Sequence, residues 1–470
     1  MRYRSARSGE TKRNDVLPDD VLLEIFDFYN GPRYRGERAT ADAWQTLVHV
    51  CRRWRNVVFG SPRRLNLQLF CTPETPARDK LDVWPALPII VAGNMAEGLS
   101  GTDNIIAALG QSNRVCDIYL WGLATWELEE VLAQMQVSFP ELTGLRLAVE
   151  GETGPVIPNS FLDGSAPCLR TLELTAIPFP GLPKFLLSAT QLVCLWLFDI
   201  PHSGYISPET MVALLSALSN LVSLHLGFES PQSRPDSVTR QPPPPERSIL
   251  PTLETFRFKG VTEYLEDLVT VIDTPRLNDM DITFFNQIDF DCPRLVQFIM
   301  CTPELRALDK IYMIFDDNSV SAELGVWGDE DEERLEIYIS CKEPDWQLSS
   351  IEQVCNSLLH PLSTIEVLYI WNHYRKLVWK DDLIENALWL QLLLPFTAVK
   401  ELHVSKKFMP SIAATLKELV GGRIAERLPN LQNILVEDVK QLRPFEESIG
   451  QFVAERQLSG HPITISVWED

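Results

Sequence analysis

The stretch "LVSLHL" (221–226) has the pattern apolar-x-x-apolar-x-apolar, and this pattern recurs along most of the chain. Successive copies are spaced about 29 residues apart on average, at the upper end of the range for leucine-rich repeats. The other good copies are "VCDIYL" (115–120), "LTGLRL" (142–147), "LRTLEL" (169–174), "LVCLWL" (192–197), "LETFRF" (253–258), "LNDMDI" (277–282), "LDKIYM" (308–313), "IEVLYI" (365–370), "VKELHV" (399–404) and "LQNILV" (431–436). Looser copies stand at 334–339 and 462–467.

Each copy predicts a short strand, because its last two apolar residues alternate and point to the same side. The segments between copies include the helical stretches 209–220, 382–394, 412–428 and 445–458. A unit of this kind buries its apolar side only against its neighbours. The sequence therefore predicts an α/β fold, a curved leucine-rich-repeat-like solenoid over residues 63–470 with its strands on the concave face. An ordinary α/β domain with coincidental apolar runs is the alternative.

One segment interrupts the repeats. "ESPQSRPDSVTRQPPPPERS" (229–248) is rich in proline and almost without apolar residues. Such a composition is typical of a disordered or polyproline loop. We expect a disordered Pro-rich insertion at residues 229–249, either as a tolerated surface loop or as a proline-rich docking segment.

The charge of the chain is unevenly distributed. Residues 1–80 contain 15 Lys and Arg against 10 Asp and Glu, whereas the whole chain has a net charge of −22. So acidic a body repels phosphate backbones, which argues against nucleic-acid binding. A solvated acidic surface and a basic partner both remain compatible with this charge.

Cysteine use and hydropathy indicate the compartment. The nine cysteines form no CxxC pair and are odd in number, which favours reduced thiols over a disulfide framework or a zinc site. No glycosylation sequon is present, and no apolar run follows the basic start. The most apolar stretch, 387–396, has about half the length needed to cross a bilayer. The sequence predicts a cytoplasmic or nuclear protein without membrane contact.

Two helical stretches precede the repeats. In "NDVLPDDVLLEIFDFYN" (14–30) the apolar residues cover an arc of about 160°, and in "AWQTLVHVCRRWRNVVF" (43–59) an arc of about 200°. Two short helices can bury only part of such arcs against each other. The remainder is expected to face a partner or the solenoid.

The residues of these helices resemble the F-box, a helical module that docks on the Skp-type adaptor of cullin–RING ubiquitin ligases. The body segments, for example "WLQLLLPFTAVKELHVSKKF" (389–408), resemble the basidiomycete-type fungal F-box families. The resemblance implies a basic flexible tail at 1–14 and an F-box at 15–62. It also implies that the residues of the motif divide between the core of the module and adaptor binding: Leu17, Pro18, Leu22, Ile25, Phe26, Val50, Cys51 and Trp54.

Aromatic side chains occupy outward positions of the predicted solenoid strands, where polar residues are the usual choice. Aromatic residues often carry the energy of protein interfaces, so we expect an unknown target protein to bind there. The alternative is that a loop or a terminal helix covers them. The predicted target-binding residues are Tyr119, Trp121, Arg146, Trp196, Phe198, Arg257, Lys259, Tyr312, Tyr338, Tyr369 and Trp371.

The sequence contains no P-loop, GxGxxG, GxSxG or HExxH motif, and its seven histidines have no metal-ligand spacing. We therefore expect no enzymatic activity, no cofactor and no metal site. The expected function is that of the substrate receptor of an SCF-type ubiquitin ligase, acting in ubiquitin-dependent degradation. The alternatives are a non-catalytic leucine-rich scaffold not linked to ubiquitination, a decoy or signalling module capped by the N-terminal helices, and a hydrolase with an unrecognised site.

Overall fold

The computed structural model describes residues 17–29, 43–60, 67–84, 86–94, 101–151, 154–231, 247–287, 289–306, 308–326, 333–372, 383–419, 428–437 and 443–468. The chain divides into two compact units, residues 1–172 and 173–470. The predicted basic tail at 1–14 lies outside the described residues, as do 232–246 of the predicted insertion. The fold is mixed α/β in both units, as predicted.

The first unit begins with three helices and continues with alternating strands and helices. Its four strands pair in parallel in chain order. The elements are α1 (Asp19–Tyr29), α2 (Ala43–Val50), α3 (Arg52–Gly60), β1 (Leu67–Phe70), α4 (Ala77–Val83), β2 (Ile89–Asn94), α5 (Thr102–Leu109), β3 (Val115–Leu123), α6 (Thr125–Gln134) and β4 (Gly144–Val149).

Strand alternation divides the first unit's sheet into two faces. Ile118 of β3 pairs with Leu145 of β4, and both side chains are buried. The next residue along each strand points to the opposite face: Tyr119 pairs with Arg146, and both are half-buried. On the helical side, buried Glu127 accepts hydrogen bonds from the Ala124 N–H (2.8 Å) and from Thr102 Oγ1 (3.3 Å), and so joins α6 to α5.

The boundary between the units falls within β5 (Thr171–Thr175). The elements that follow are α7 (Leu182–Leu186), β6 (Cys194–Ile200), α8 (Pro208–Leu215), β7 (Ser223–Phe228), β8 (Ser248–Ile249), β9 (Thr255–Gly260), α9 (Thr262–Val271), β10 (Ile272–Asp273), β11 (Asp279–Phe285), α10 (Pro293–Cys301), α11 (Pro303–Arg306), β12 (Lys310–Phe315), β13 (Ser319–Gly325), β14 (Glu333–Ser340), α12 (Pro344–Ser357), α13 (Leu359–Leu362), β15 (Val367–Asn372), α14 (Leu383–Leu392), β16 (Glu401–Val404), α15 (Met409–Glu418), β17 (Asn433–Glu437), α16 (Arg443–Leu458) and β18 (Thr464–Trp468).

The sheet of the second unit has the strand order β6-β7-β9-β11-β14-β13-β12-β15-β16-β17-β18. Its strands run parallel with one exception, β13, which is antiparallel to both β12 and β14. The repeat pattern predicts β12 and β14 as consecutive parallel neighbours and does not predict β13, so this prediction was wrong. The turn from β12 to β13 is too short for a parallel crossover and closes with the Asp316 N–H bonded to the Ser319 carbonyl at 2.9 Å.

The helices of the second unit pack on one face of its sheet. Phe315 of β12 lies 5.8 Å from Trp389 of α14 and 5.0 Å from Phe408, measured between ring centroids. Phe258 of β9 stacks at 5.8 Å on Tyr264 of α9. The side chains that alternate with these buried residues point to the other face.

Several predicted boundaries are shifted. The helix predicted at 43–59 is interrupted at Cys51, which separates α2 from α3. The helix predicted at 209–220 ends at Leu215, and the one predicted at 412–428 begins at Met409 and ends at Glu418. Residues 248 and 249, assigned to the disordered insertion, form β8 and pair in parallel with β10, because the apolar Ile249 and Leu250 resume a regular pattern there.

Candidate functional site

The three N-terminal helices form a module with its own core. Phe26 of α1 and Trp54 of α3 pack with ring centroids 4.8 Å apart. Leu22, Phe26 and Val58 are almost fully buried. Two of the predicted adaptor-binding residues, Leu22 and Phe26, therefore belong to this core.

A charged contact fixes α3 to the start of α1. Arg53 Nη2 lies 2.7 Å from Asp19 Oδ1, and the same guanidinium donates to the backbone carbonyl of Leu17. The sequence analysis did not predict this pair. The acidic residues in the first turn of α1 were its only signal.

An apolar stripe remains exposed on the module. Leu17 and Val21 are each 39% exposed, Ile25 is 44% exposed and Val50 is 48% exposed. Val21 and Ile25 are four residues apart and so lie on one side of α1, and Leu17 lies four residues before Val21, just ahead of the helix. Pro18 is also exposed. We call these exposed residues, Leu17, Val21 and Ile25 together with Val50 on α2, the apolar stripe; Val21 was not among the predicted site residues.

Cys51 and Trp54 are half-buried. The Trp54 backbone N–H donates to Cys51 Sγ at 3.4 Å, so the thiol caps the first turn of α3. Trp54 Nε1 is buried and has no hydrogen-bond partner among the described residues. The predicted adaptor residues thus fall into three classes. The buried ones are Leu22 and Phe26, the half-buried ones are Cys51 and Trp54, and the exposed ones are Leu17, Pro18, Ile25 and Val50.

In the first unit, three predicted target-binding residues meet on one sheet face. The rings of Tyr119 and Trp121 stack with centroids 6.1 Å apart. The guanidinium carbon of Arg146 lies 4.8 Å from the centroid of Tyr119. Burial raises the pKa of the nearby Asp117 carboxyl to about 6, against the opposing effects of Arg146 and of a hydrogen bond from Thr143.

In the second unit, a first group of predicted residues lies on β6 and β9. Trp196 Nε1 donates to Ser223 Oγ at 2.9 Å, and Phe198 packs on His225 with centroids 4.1 Å apart. Lys259 Nζ forms an ion pair with Asp199 Oδ1 at 2.6 Å. Arg257, on the same strand as Lys259, is exposed. Burial and, secondarily, Arg257 lower the pKa of His225 to about 4.

A second group forms what we call the aromatic patch, defined by Tyr312, Tyr369, Trp371, His403 and Trp468. Tyr312 stacks on Tyr369 at 4.2 Å, and Tyr369 stacks on His403 at 4.1 Å. Trp371 lies 5.2 Å from Trp468. His403 and Trp468 were not among the predicted site residues, although the looser repeat copy at 462–467 was a signal for Trp468.

Tyr338 is separated from the aromatic patch by β13. It pairs with Thr283 of β11 and with Ser321 of β13, whereas Tyr312 pairs with Tyr369. The predicted residues therefore do not form one continuous row, because the unpredicted strand lies between them.

A cavity of about 340 Å³ lies between α9 and α10, and carboxylates form much of its lining. One of them, Glu266, accepts hydrogen bonds from the backbone N–H groups of Arg294 (3.0 Å) and Leu295 (2.7 Å) and so caps α10. Among the residues that the structure describes, no group of three or more ligating side chains is arranged to hold a metal ion.

The nine cysteines are unpaired. Burial raises the pKa values of the Cys71 and Cys116 thiols to about 12, so these groups are poor nucleophiles at neutral pH.

Neither a protein-family model nor a curated protein matches the chain. In the described part of the chain, every helix is too short or too polar to cross a membrane.

Proposed function

We propose that the protein is the substrate-recognition subunit of an SCF-type cullin–RING ubiquitin ligase. The N-terminal module binds the Skp-type adaptor, and the aromatic sheet faces bind the target. Such a receptor performs no bond chemistry itself; it raises the local concentration of the target beside the conjugating enzyme. This role places the protein in the cytoplasm or the nucleus.

The observation that carries the proposal is the apolar stripe. Leu22 and Phe26 fill the core of the module, whereas the stripe residues keep 39–48% of their surface exposed. Four large apolar residues on so small a module are the type of surface that docks on another protein. Their sequence setting is the one that resembles the F-box.

We further propose that the strand–helix units form a leucine-rich-repeat-like solenoid. Two features of the second unit support it. Parallel neighbours keep equivalent residues in register, as with Leu224, Phe256 and Met280 on β7, β9 and β11. Consecutive helices also pack against each other on one sheet face. The β12–β13–β14 segment is an insertion into this arrangement.

Co-purification of the full chain with the Skp-type adaptor tests the function. Ile25→Asp places a charge in the stripe without entering the core, and we expect it to abolish the complex while leaving the melting temperature nearly unchanged. Val83→Asp makes the same kind of change at another exposed residue of the first unit and is the matched control. Phe26→Ala, in the core, should lower stability as well as binding.

A wild-type chain that forms no adaptor complex would refute the ligase role. An Ile25→Asp variant that still binds would show that the stripe is not the docking surface. The absence of a complex would favour the second candidate, a non-catalytic leucine-rich scaffold, because the aromatic patch needs no adaptor to bind a partner.

A further inference from the structure

Trp468 reaches across the sheet of the second unit. Its strand, β18, pairs with β17. Nevertheless its ring lies 5.6 Å from that of His403 on β16, and 5.2 Å and 6.3 Å from those of Trp371 and Tyr369 on β15. The indole therefore extends over β17 and covers side chains on the next two strands.

Two polar residues of β16 and its extension are buried on this sheet face. His403 is 7% exposed, and Ser405 is 2% exposed. Ser405 continues the ladder of β16, since its N–H donates to the Ile370 carbonyl at 2.9 Å. Strand alternation therefore directs its hydroxyl to the same face as His403.

Three polar atoms at this place have no hydrogen-bond partner. In the described residues, His403 Nδ1, Ser405 Oγ and Trp468 Nε1 are buried without a hydrogen bond. The other ring nitrogen of His403, Nε2, lies 3.5 Å from Glu401 Oε2. Buried polar atoms in folded proteins nearly always have a partner, so the three atoms are available to a hydrogen-bonding group from outside.

We propose that the aromatic patch binds a tyrosine side chain of a partner protein, and that Trp468 is an internal substitute which the tyrosine displaces. The floor of the site is made by Tyr369 and His403, Trp371 forms its side, and Ser405 lies two residues beyond His403 on the same face. The indole of Trp468 meets the rings of Tyr369 and His403 edge-on, and a patch that accommodates an indole in this way has room for a phenol ring in the same edge-to-face arrangement.

The polar atoms select tyrosine among the aromatic residues. A phenol hydroxyl both donates and accepts a hydrogen bond, so it can pair with Ser405 Oγ or a ring nitrogen of His403. The indole of Trp468 can only donate, and its own N–H is unpartnered. A phenylalanine ring would leave all these groups unsatisfied, which lowers its affinity. The inference does not depend on adaptor binding, because it concerns only the second unit.

The test measures binding of N-acetyltyrosinamide and N-acetylphenylalaninamide to the full chain by ligand-observed NMR. Trp468→Ala removes the competing indole, and we expect tyrosinamide to bind about tenfold more tightly to it than to the wild type. We expect phenylalaninamide to bind it more weakly than tyrosinamide. The matched control is Trp346→Ala, which removes an exposed tryptophan on α12 and should change neither affinity.

Adding Ser405→Ala to Trp468→Ala should remove much of the preference for tyrosine. The proposal is overturned if Trp468→Ala binds tyrosinamide no better than the wild type, or if the two ligands bind it equally. If Trp468→Ala does not fold, the Ser405→Ala single variant is the test. It should reduce the preference for tyrosinamide in the wild-type background, and an unchanged preference refutes the site.

Discussion

The carboxylate of Asp117 on β3 occupies the space above Gly144 on β4 that any side chain at residue 144 would need. The two residues are paired neighbours in adjacent strands. The Asp117 carboxyl is largely buried and is hydrogen-bonded to Thr143. Glycine at residue 144 is therefore a consequence of where the aspartate lies. A cross-strand pair of this kind makes the effect of each substitution depend on the other residue.

Gly144→Ala should destabilise the protein by about 1–3 kcal/mol, because the added methyl group overlaps the Asp117 carboxylate in a packed sheet. In an Asp117→Ala background the same change should cost much less. Chemical denaturation of the two single variants and the double variant measures this coupling. Additive effects would show that the carboxylate does not occupy this space.

The raised pKa of Asp117 also predicts that the stability of the protein depends on pH. Its pKa is about 6 in the folded protein and near 4 in the unfolded chain, so the folded state binds the proton more tightly. Its contribution to stability is fully present below about pH 4 and is lost as the pH rises to about 6, about 2–3 kcal/mol in all. Asp117→Asn should reduce the slope of stability against pH, which urea denaturation between pH 4 and pH 7 measures. Burial also raises the pKa values of Glu266, Asp281 and Glu352, so part of the slope remains. An unchanged slope in the variant would assign the effect to other groups.

The Arg53–Asp19 pair should contribute little energy of its own. Asp19 is largely exposed, and exposed ion pairs are worth about 0.2–1 kcal/mol. A double-mutant cycle with Arg53→Ala and Asp19→Ala should give a coupling energy in this range. Arg53→Ala alone should cost more than Asp19→Ala, because Arg53 also bonds the Leu17 carbonyl. Equal costs would show that the carbonyl contact adds nothing.

The cysteines should react in two classes with an alkylating reagent. Cys168 and Cys301 are exposed, whereas Cys71 and Cys116 are buried with raised pKa values. In the native protein at neutral pH, iodoacetamide should modify Cys168 and Cys301 first, and Cys71 and Cys116 only after denaturation. Peptide mass spectrometry identifies the sites. Rapid native labelling of Cys71 would contradict the packing of β1 against its neighbours.

The strands were the most predictable part of the fold. A stretch such as "LVSLHL" has one side that must be buried, so the register of β7 follows from its own residues. β13 has the same alternation, with Val320, Ala322 and Leu324 buried, but it lacks the leucine-rich spacing, and the turn signal in "DDNS" (316–319) was not used. The position of β13 depends on its pairing with β12 and β14. A search for a repeated local pattern does not detect such a pairing.

The candidate sites were predictable only in part. The sequence predicted an apolar module, but which apolar residues are buried depends on the break at Cys51, where a thiol caps α3 in place of the usual serine, threonine or aspartate. Trp468 was missed for a different reason. Its position on the last strand gives no indication that the indole extends over β17 to reach Tyr369.

The reversed order of β12, β13 and β14 also has a consequence for synthesis on the ribosome. The edge of β11 pairs with β14, so β12 is made before the two strands that connect it to β11. A regular repeat array can grow by one unit at a time, whereas this segment has to join as a block of three strands. The β11 edge therefore stays without its native partner until residue 340 has left the exit tunnel. An unpaired strand edge of this kind favours mispairing of the nascent chain.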